Sequence, residues 1–457
     1  MAFKIKQIKM KQFPFLFILI FFISSCTPEL DIPKPSAGDA NFSKSIAIGG
    51  NFLAGYQDGA LFEKGQRLSI PALLSKQFEL VGGATFNQIL MPDNKGLGLN
   101  TKPWESWFVT PSHLGYKTDC KGVTALSPIK TTISLSAASS YLIGIAGNTN
   151  QNISVPYSTI SDYFNPSLGA SFSSGNRNPY YHRIASYPAV STMFSDAQAQ
   201  GASFVTAWVG MEDIYNYAST GGTSGSLPSS ANFSMYLDSL LKGLTANGAK
   251  GVIANIPDFR TFPYYTLVKW DNADLTQGQA DSLNDIYISS GFTHIVFNKG
   301  RNGFIIEDIL ANLGYRQLHT GEYLTLSVPL DSMKCNKYGL LVNVINDRYV
   351  LDSSEVAEID QAINSYNSII QQKAAQYNFA FVDMYAYFKT VEAGIKWDGA
   401  DLNAQFVSGG FFSLDGYHPN QKGYALIVNE FIQAINSKFK SVIPTVNCVE
   451  CDGVLFP

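Results

Sequence analysis

Five short apolar runs punctuate the chain: SIAIGG from Ser45, FELVGG from Phe78, FVTAWVG from Phe204, GVIANIPD from Gly251 and FAFVDMY from Phe379. Each is rich in Val, Ile and Phe and closes on or just before Gly, Asp or Pro. Runs of this length predict strands buried on both faces, as in a parallel sheet whose carboxyl ends open into functional loops. Between the runs, apolar residues recur at helical spacing. NFSMYLDSLLKGLTANG precedes the run at Gly251, SEVAEIDQAINSYNSIIQQKAAQYN precedes the run at Phe379, and GYALIVNEFIQAINSKF follows near the end of the chain. Each predicts an amphipathic helix.

Helix then strand, repeated, predicts a three-layer α/β domain around a central parallel sheet. Two stretches break the rhythm, from about Lys95 to Arg177 and from about Phe259 to Val350. The first is rich in Ser, Thr, Gly and Asn and holds short β-like pieces such as TTISLSAASSYLIGI. Neither is bounded by a linker, so both read as insertions carried by loops of one domain spanning 41–447.

The amino terminus follows different rules. MAFKIKQIKMKQ carries four lysines, FPFLFILIFF is apolar, and ISSC follows at Ile23 to Cys26. An apolar run from Phe13 to Ile23 is too short to span a bilayer and predicts a signal peptide over residues 1–25. ISSC has the form of a lipobox, in which Ser24 and Ser25 admit the peptidase and Cys26 takes acyl chains such as palmitate. The alternative is an ordinary signal peptide that abuts a cysteine. The processed chain then begins CTPELDIPKPSAG, a polar tether over 26–40, and ends in a short tail over 448–457.

Composition narrows the partners. Charged residues are 15% of the chain and the formal net charge is -4, with Lys and Arg scattered, so no basic groove for nucleic acid is present. Aromatic residues reach 13%, a content suited to a surface that contacts carbohydrate or protein. Beyond Cys26, the cysteines Cys120, Cys335, Cys448 and Cys451 permit two disulfides in an exported protein, with three possible pairings. The CxxC at 448–451 also has the spacing of a redox pair or half a zinc site, but no His lies beside it.

The candidate chemistry lies at the two ends of the domain. In SLDGYHPNQKGYALIVNEF, Asp415 and His418 stand three residues apart before a helix. A carboxylate bonded to one imidazole nitrogen fixes the tautomer and frees the other nitrogen to act as base. The alternative is a turn in which Asp415 caps the helix and His418 faces solvent. In IAIGGNFLAGYQDG a strand runs into a glycine turn and a helix, the place where α/β enzymes put an attacking side chain. The turn holds Asn51.

Together these blocks resemble the SGNH, or GDSL-type, lipase and esterase family, and within it a large exported lipoprotein branch of Bacteroidota-like bacteria. GGATFNQILMPD, LTQGQADSLN, DRYVLDSSEVAEI and LDGYHPNQKGYALIVNEFIQAIN extend the likeness over nearly the whole mature chain. The resemblance implies a flavodoxin-like fold, an attacking Ser in the first block, oxyanion donors from a glycine block and a G-x-N-D block, and a C-terminal D-x-x-H. Carried over, Asp415 and His418 match the last block and Gly83 is the expected glycine-block donor. The third block, WVGMEDIYNY, places Glu212 where the family has Asn, followed by Asp213. Asn51 stands where the family has Ser.

These departures remove chemistry. An amide nitrogen delocalised into its carbonyl is a poor nucleophile, and an ionised Glu212 repels an oxyanion where Asn would donate. Three rescues remain: Ser43 or Ser45 as a displaced nucleophile, Glu212 or Asp213 with His418 activating water, and a metal held by Glu212, Asp213 and His418. None is required by a second feature, and no metal or other cofactor is expected. The expected outcome is a vestigial cleft in which His418 bonds Asn51 or Glu212 as a polar clasp.

The branch is similar to companions of outer-membrane barrels, which implies an inactive, lipid-anchored accessory subunit of an outer-membrane complex, on the cell-surface face. The alternatives are an esterase acting on acylated glycans or lipids and a carbohydrate-binding lipoprotein.

Overall fold

The apolar runs at Ser45, Phe204, Gly251 and Phe379 form strands in the computed structural model, which describes residues 33–99, 108–145, 149–170, 178–340 and 343–457. They are β1 (Ser45–Gly49), β3 (Phe204–Trp208), β4 (Lys250–Ala254) and β5 (Phe379–Val382), and β2 (Asn152–Ser154) joins them. The strand order is β5-β4-β3-β1-β2, with every neighbouring pair parallel. Every residue of β1 and β3 is buried, as expected of strands covered on both faces.

The helices include α1 (Asn51–Ala54), α2 (Ile70–Glu79), α3 (Met211–Ala218), α4 (Ser230–Leu244), α5 (Gln277–Ser289), α6 (Leu330–Asn336), α7 (Ser353–Gln376) and α8 (Gln421–Phe439), with others between them, among them Met193–Ala199 and Met384–Ala393. The three helices predicted from periodicity correspond to α4, α7 and α8. Asp352 and Glu355 form a reciprocal capping box that starts α7. Ile359, Ile363, Tyr366, Ile370 and Ala374 make its buried stripe, and the Tyr366 ring stacks on Phe233 of α4 at 4.1 Å.

Two readings of the sequence need correction. FELVGG is not a strand: Phe78 and Glu79 end α2, whose buried face includes Ile70, Leu73, Leu74 and Phe78. The stretch from Lys95 to Arg177, read as an insertion, contains β2, which pairs with β1 through Ile48 opposite Ile153. The tail is packed rather than free, since Cys448 and Cys451 belong to the main core and Lys64 pairs with Asp452 at 2.5 Å.

Of the expected disulfides, Cys120–Cys335 is formed, while Cys448 and Cys451 are free and buried. Burial pushes the Cys448 thiol up to about 11, which opposes a redox role. The signal peptide, Cys26 and the tether as far as residue 32 lie outside the described residues. Among the described residues no helix is long and apolar enough to cross a membrane.

The bond joins the tip of a hairpin, His113–Thr118 with Thr124–Ile129, to α6. Ion pairs Lys117–Asp331, at 2.6 Å, and Lys334–Asp119 flank it. Exposed pairs contribute little, so the covalent link carries most of the attachment. Replacing both Cys120 and Cys335 by Ser is expected to lower the unfolding free energy by about 2–4 kcal/mol, read from urea titrations beside the oxidised parent.

Candidate functional site

β1 ends between Ser154 of β2 and Trp208 of β3, where the strand order reverses, the point at whose carboxyl ends doubly wound sheets place ligands. Gly50 leads into α1, whose first residue is Asn51. Gly55 closes this turn at φ 82°, and a Cβ there would meet the Gly65 carbonyl oxygen at 2.5 Å, so the reversal toward Asp58 requires glycine.

Asn51 is wholly buried. Its backbone N–H donates to Glu212 Oε1 at 2.6 Å, and its Oδ1 accepts the Tyr157 N–H at 2.9 Å. Its Nδ2 has no hydrogen-bond partner among the described residues. Glu212 lies in the first turn of α3, just after Gly210 at φ 89°. Its carboxyl fills the space over Gly50, where a Cβ would fall between 1.9 and 2.1 Å from its carbon and both oxygens.

A carboxyl removed from water disfavours its charged form. Burial pushes Glu212 up to about 8 and Asp213 up to about 7. Near neutral pH Glu212 is therefore largely the neutral acid, which corrects the expectation of charge repulsion. The obstacle is occupancy: Glu212 consumes a backbone donor at the helix start, the kind of group an oxyanion hole uses. Asp213 is engaged elsewhere, accepting the Ile160 N–H at 3.0 Å.

The C-terminal pair is intact. His418 Nδ1 lies 2.9 Å from Asp415 Oδ2, and that oxygen also accepts the Gly59 N–H at 2.8 Å. Asp415 Oδ1 accepts the N–H groups of Tyr417 at 2.9 Å and His418 at 2.8 Å. Burial opposes ionisation of Asp415, but the imidazole and these donors outweigh it and hold the carboxyl below its ordinary range. Asp415 does not cap α8; Asn420 does, accepting the Gly423 N–H at 2.9 Å.

His418 is 1% exposed, so it does not face solvent. Phe52, Tyr56, Tyr215 and Tyr417 surround its ring with centroids between 4.9 and 6.1 Å away. Phe262, from the second insertion, stacks on Tyr417 at 4.5 Å and thickens this cover. The expected clasp is not made: among the described residues His418 Nε2 is buried without a hydrogen-bond partner, as is Glu212 Oε2.

Gly83 is misassigned by the sequence. It follows α2, and its N–H donates to the Phe78 carbonyl at 2.8 Å, which ends that helix. After the strand that neighbours β1, the donor aimed at residue 51 is the N–H of Tyr157, a residue held at φ 65°. Ser43 and Ser45 sit at the amino end of β1, far along the strand from Asn51. Among the described residues no group of three His, Cys, Asp or Glu is arranged to hold a metal, so Glu212, Asp213 and His418 form no ligand set.

The model of the GDSL-like lipase/acylhydrolase family matches residues 134–431. The chain belongs to this family. No curated protein matches it. The GDSL match includes α3 and the Asp415–His418 pair but begins after β1, so Asn51 holds its place on topology: it is the first residue of the helix that follows β1, and the next residue, Phe52, lies against the His418 imidazole.

Two outcomes follow for this GDSL site. Gly50→Ala is expected to cost about 1–3 kcal/mol by overpacking, and less in a Glu212→Ala background, as a double-mutant cycle of unfolding free energies would read. A carboxyl whose folded pKa is raised contributes stability fully below its unfolded value of 4.5, and that contribution is lost as pH rises to about 8. Within that window one such group gives a slope of about 1.4 kcal/mol per pH unit. Glu212→Gln should flatten the fall of stability between pH 5 and pH 7 by about 1 kcal/mol per unit.

Proposed function

We propose that this GDSL-family chain is an outer-membrane-anchored lipoprotein that no longer performs acyl transfer and works by binding, as an accessory subunit of an outer-membrane protein complex. The observation that carries the reading is the pairing of Asn51 with Glu212: the residue in the nucleophile's place is an amide, and its backbone donor is consumed by a buried carboxyl 2.6 Å away. Acyl transfer needs both an atom that attacks and donors free to receive the oxyanion. Neither is supplied here, and the imidazole that would take the proton is roofed by aromatic rings.

The anchoring half of the reading rests on the lysine-rich leader and the ISSC lipobox at Cys26. The accessory role draws support from apolar side chains on inserted loops. Tyr116 is 70% exposed on the disulfide-tied hairpin, and Ile309 and Leu310 stand almost entirely in solvent in the second insertion. Large apolar groups in that position favour contact with another protein. A second reading, an esterase acting on acylated glycans or lipids at the cell surface, is favoured by one observation, the intact 2.9 Å contact of Asp415 with His418.

Hydrolysis of aryl butyrate and octanoate esters by the mature chain separates the two. Wild type is expected to release product no faster than His418→Ala, and Asn51→Ser alone is expected to stay at that level while Glu212 holds the donor. Wild-type turnover that His418→Ala abolishes would establish the esterase and sink the proposal. Cross-linking of the anchored chain in native outer membranes is expected to capture a barrel protein, and recovery of the chain alone would count against the accessory role.

A further inference from the structure

The second insertion builds two small hydrophobic cores instead of one. Val268, Ala273, Phe304, Ile306 and their neighbours make the first, and Leu275, Ala280, Leu283 and Tyr287 belong to the second. The clusters do not close over each other. Between them runs a groove of about 1060 Å³, floored by Val268, Leu275, Leu283 and Phe304. That is a ligand-sized volume.

Three apolar side chains line the groove while remaining nearly half exposed: Leu267 at 43%, Ile286 at 44% and Leu330 at 45%. Apolar surface left in water forgoes the stabilisation that burial provides, so a line of such side chains in one recess favours an apolar occupant.

Positive charge is confined to one wall. Lys121, Lys334 and Lys337 line the groove, and Asp274 is the single carboxylate among its lining residues. All three lysines stand at the disulfide: Lys121 follows Cys120, Lys334 precedes Cys335, and Lys337 ends α6. Lys334 is paired with Asp119, whereas Lys121 and Lys337 have no carboxylate partner among the described residues. The Cys120–Cys335 bond thus fixes two unpaired ammonium groups beside an apolar trough. Lysine stems add apolar surface while their heads stay wet.

We propose that this groove binds a long-chain fatty acid, its hydrocarbon in the seam between the two small cores and its carboxylate between Lys121 and Lys337. A single chain suits a single trough, and an anionic head suits a wall with two uncompensated cations. The site is separate from the Asn51–His418 centre and does not depend on whether that centre is silent.

The test is titration of the oxidised mature chain with cis-parinarate, which fluoresces when its polyene leaves water, followed by competition below micellar concentrations. Saturable enhancement is expected, displaced by palmitate and at least tenfold less well by methyl palmitate, which lacks the charge. Lys121→Glu with Lys337→Glu, both at exposed positions, is expected to weaken palmitate binding at least tenfold with an unchanged unfolding midpoint. Absence of palmitate-displaceable binding, equal competition by the methyl ester, or wild-type affinity in the charge-reversed variant would each overturn the assignment.

Discussion

A buried carboxyl pressed against a glycine organises the carboxyl edge of the sheet. Glu212 has room only because Gly50 has no side chain, and it accepts a hydrogen bond only because the start of α1 presents an unsatisfied N–H. The contact joins residues 161 positions apart and ties the turn after β1 to the turn after β3. Once it is made, the polar atoms that would handle an acyl group are either taken or sealed from water. The intact Asp415–His418 pair then behaves as part of the core: its carboxylate knits Gly59, Tyr417 and His418 together, and its imidazole is packed among aromatic rings.

The sheet and its long helices were legible because their cause is local. A strand covered on both faces must be apolar throughout, and a helix on one face must repeat its apolar residues every three or four positions, as α7 does. FELVGG misled because the last turn of an amphipathic helix and a short strand present the same few residues. β2 escaped because Asn152–Ser154 is short and two of its three residues are polar; it is a strand by its pairing with β1.

The candidate site divides along the same line. Asp415 and His418 were readable because three residues of one turn bring them together. Asn51 was readable from the strand-turn-helix it interrupts. Gly83 was not, because the position it was expected to hold belongs to a loop recognised only once β2 is in place, where Tyr157 takes a left-handed conformation. Nor did the spacing tell of the roof over His418, although Tyr417 stands inside the motif itself; Tyr215 and Phe262 arrive from elements far along the chain.

The Cys120–Cys335 bond has a topological consequence. It closes a covalent ring over a sequence separation of 215 residues, and β2, β3 and β4 all lie inside that ring. The two insertions are therefore belted together around the segment that carries most of the sheet. One proteolytic nick anywhere between the two cysteines opens the ring without dividing the molecule: both products stay on one covalent particle, and only reduction lets them part.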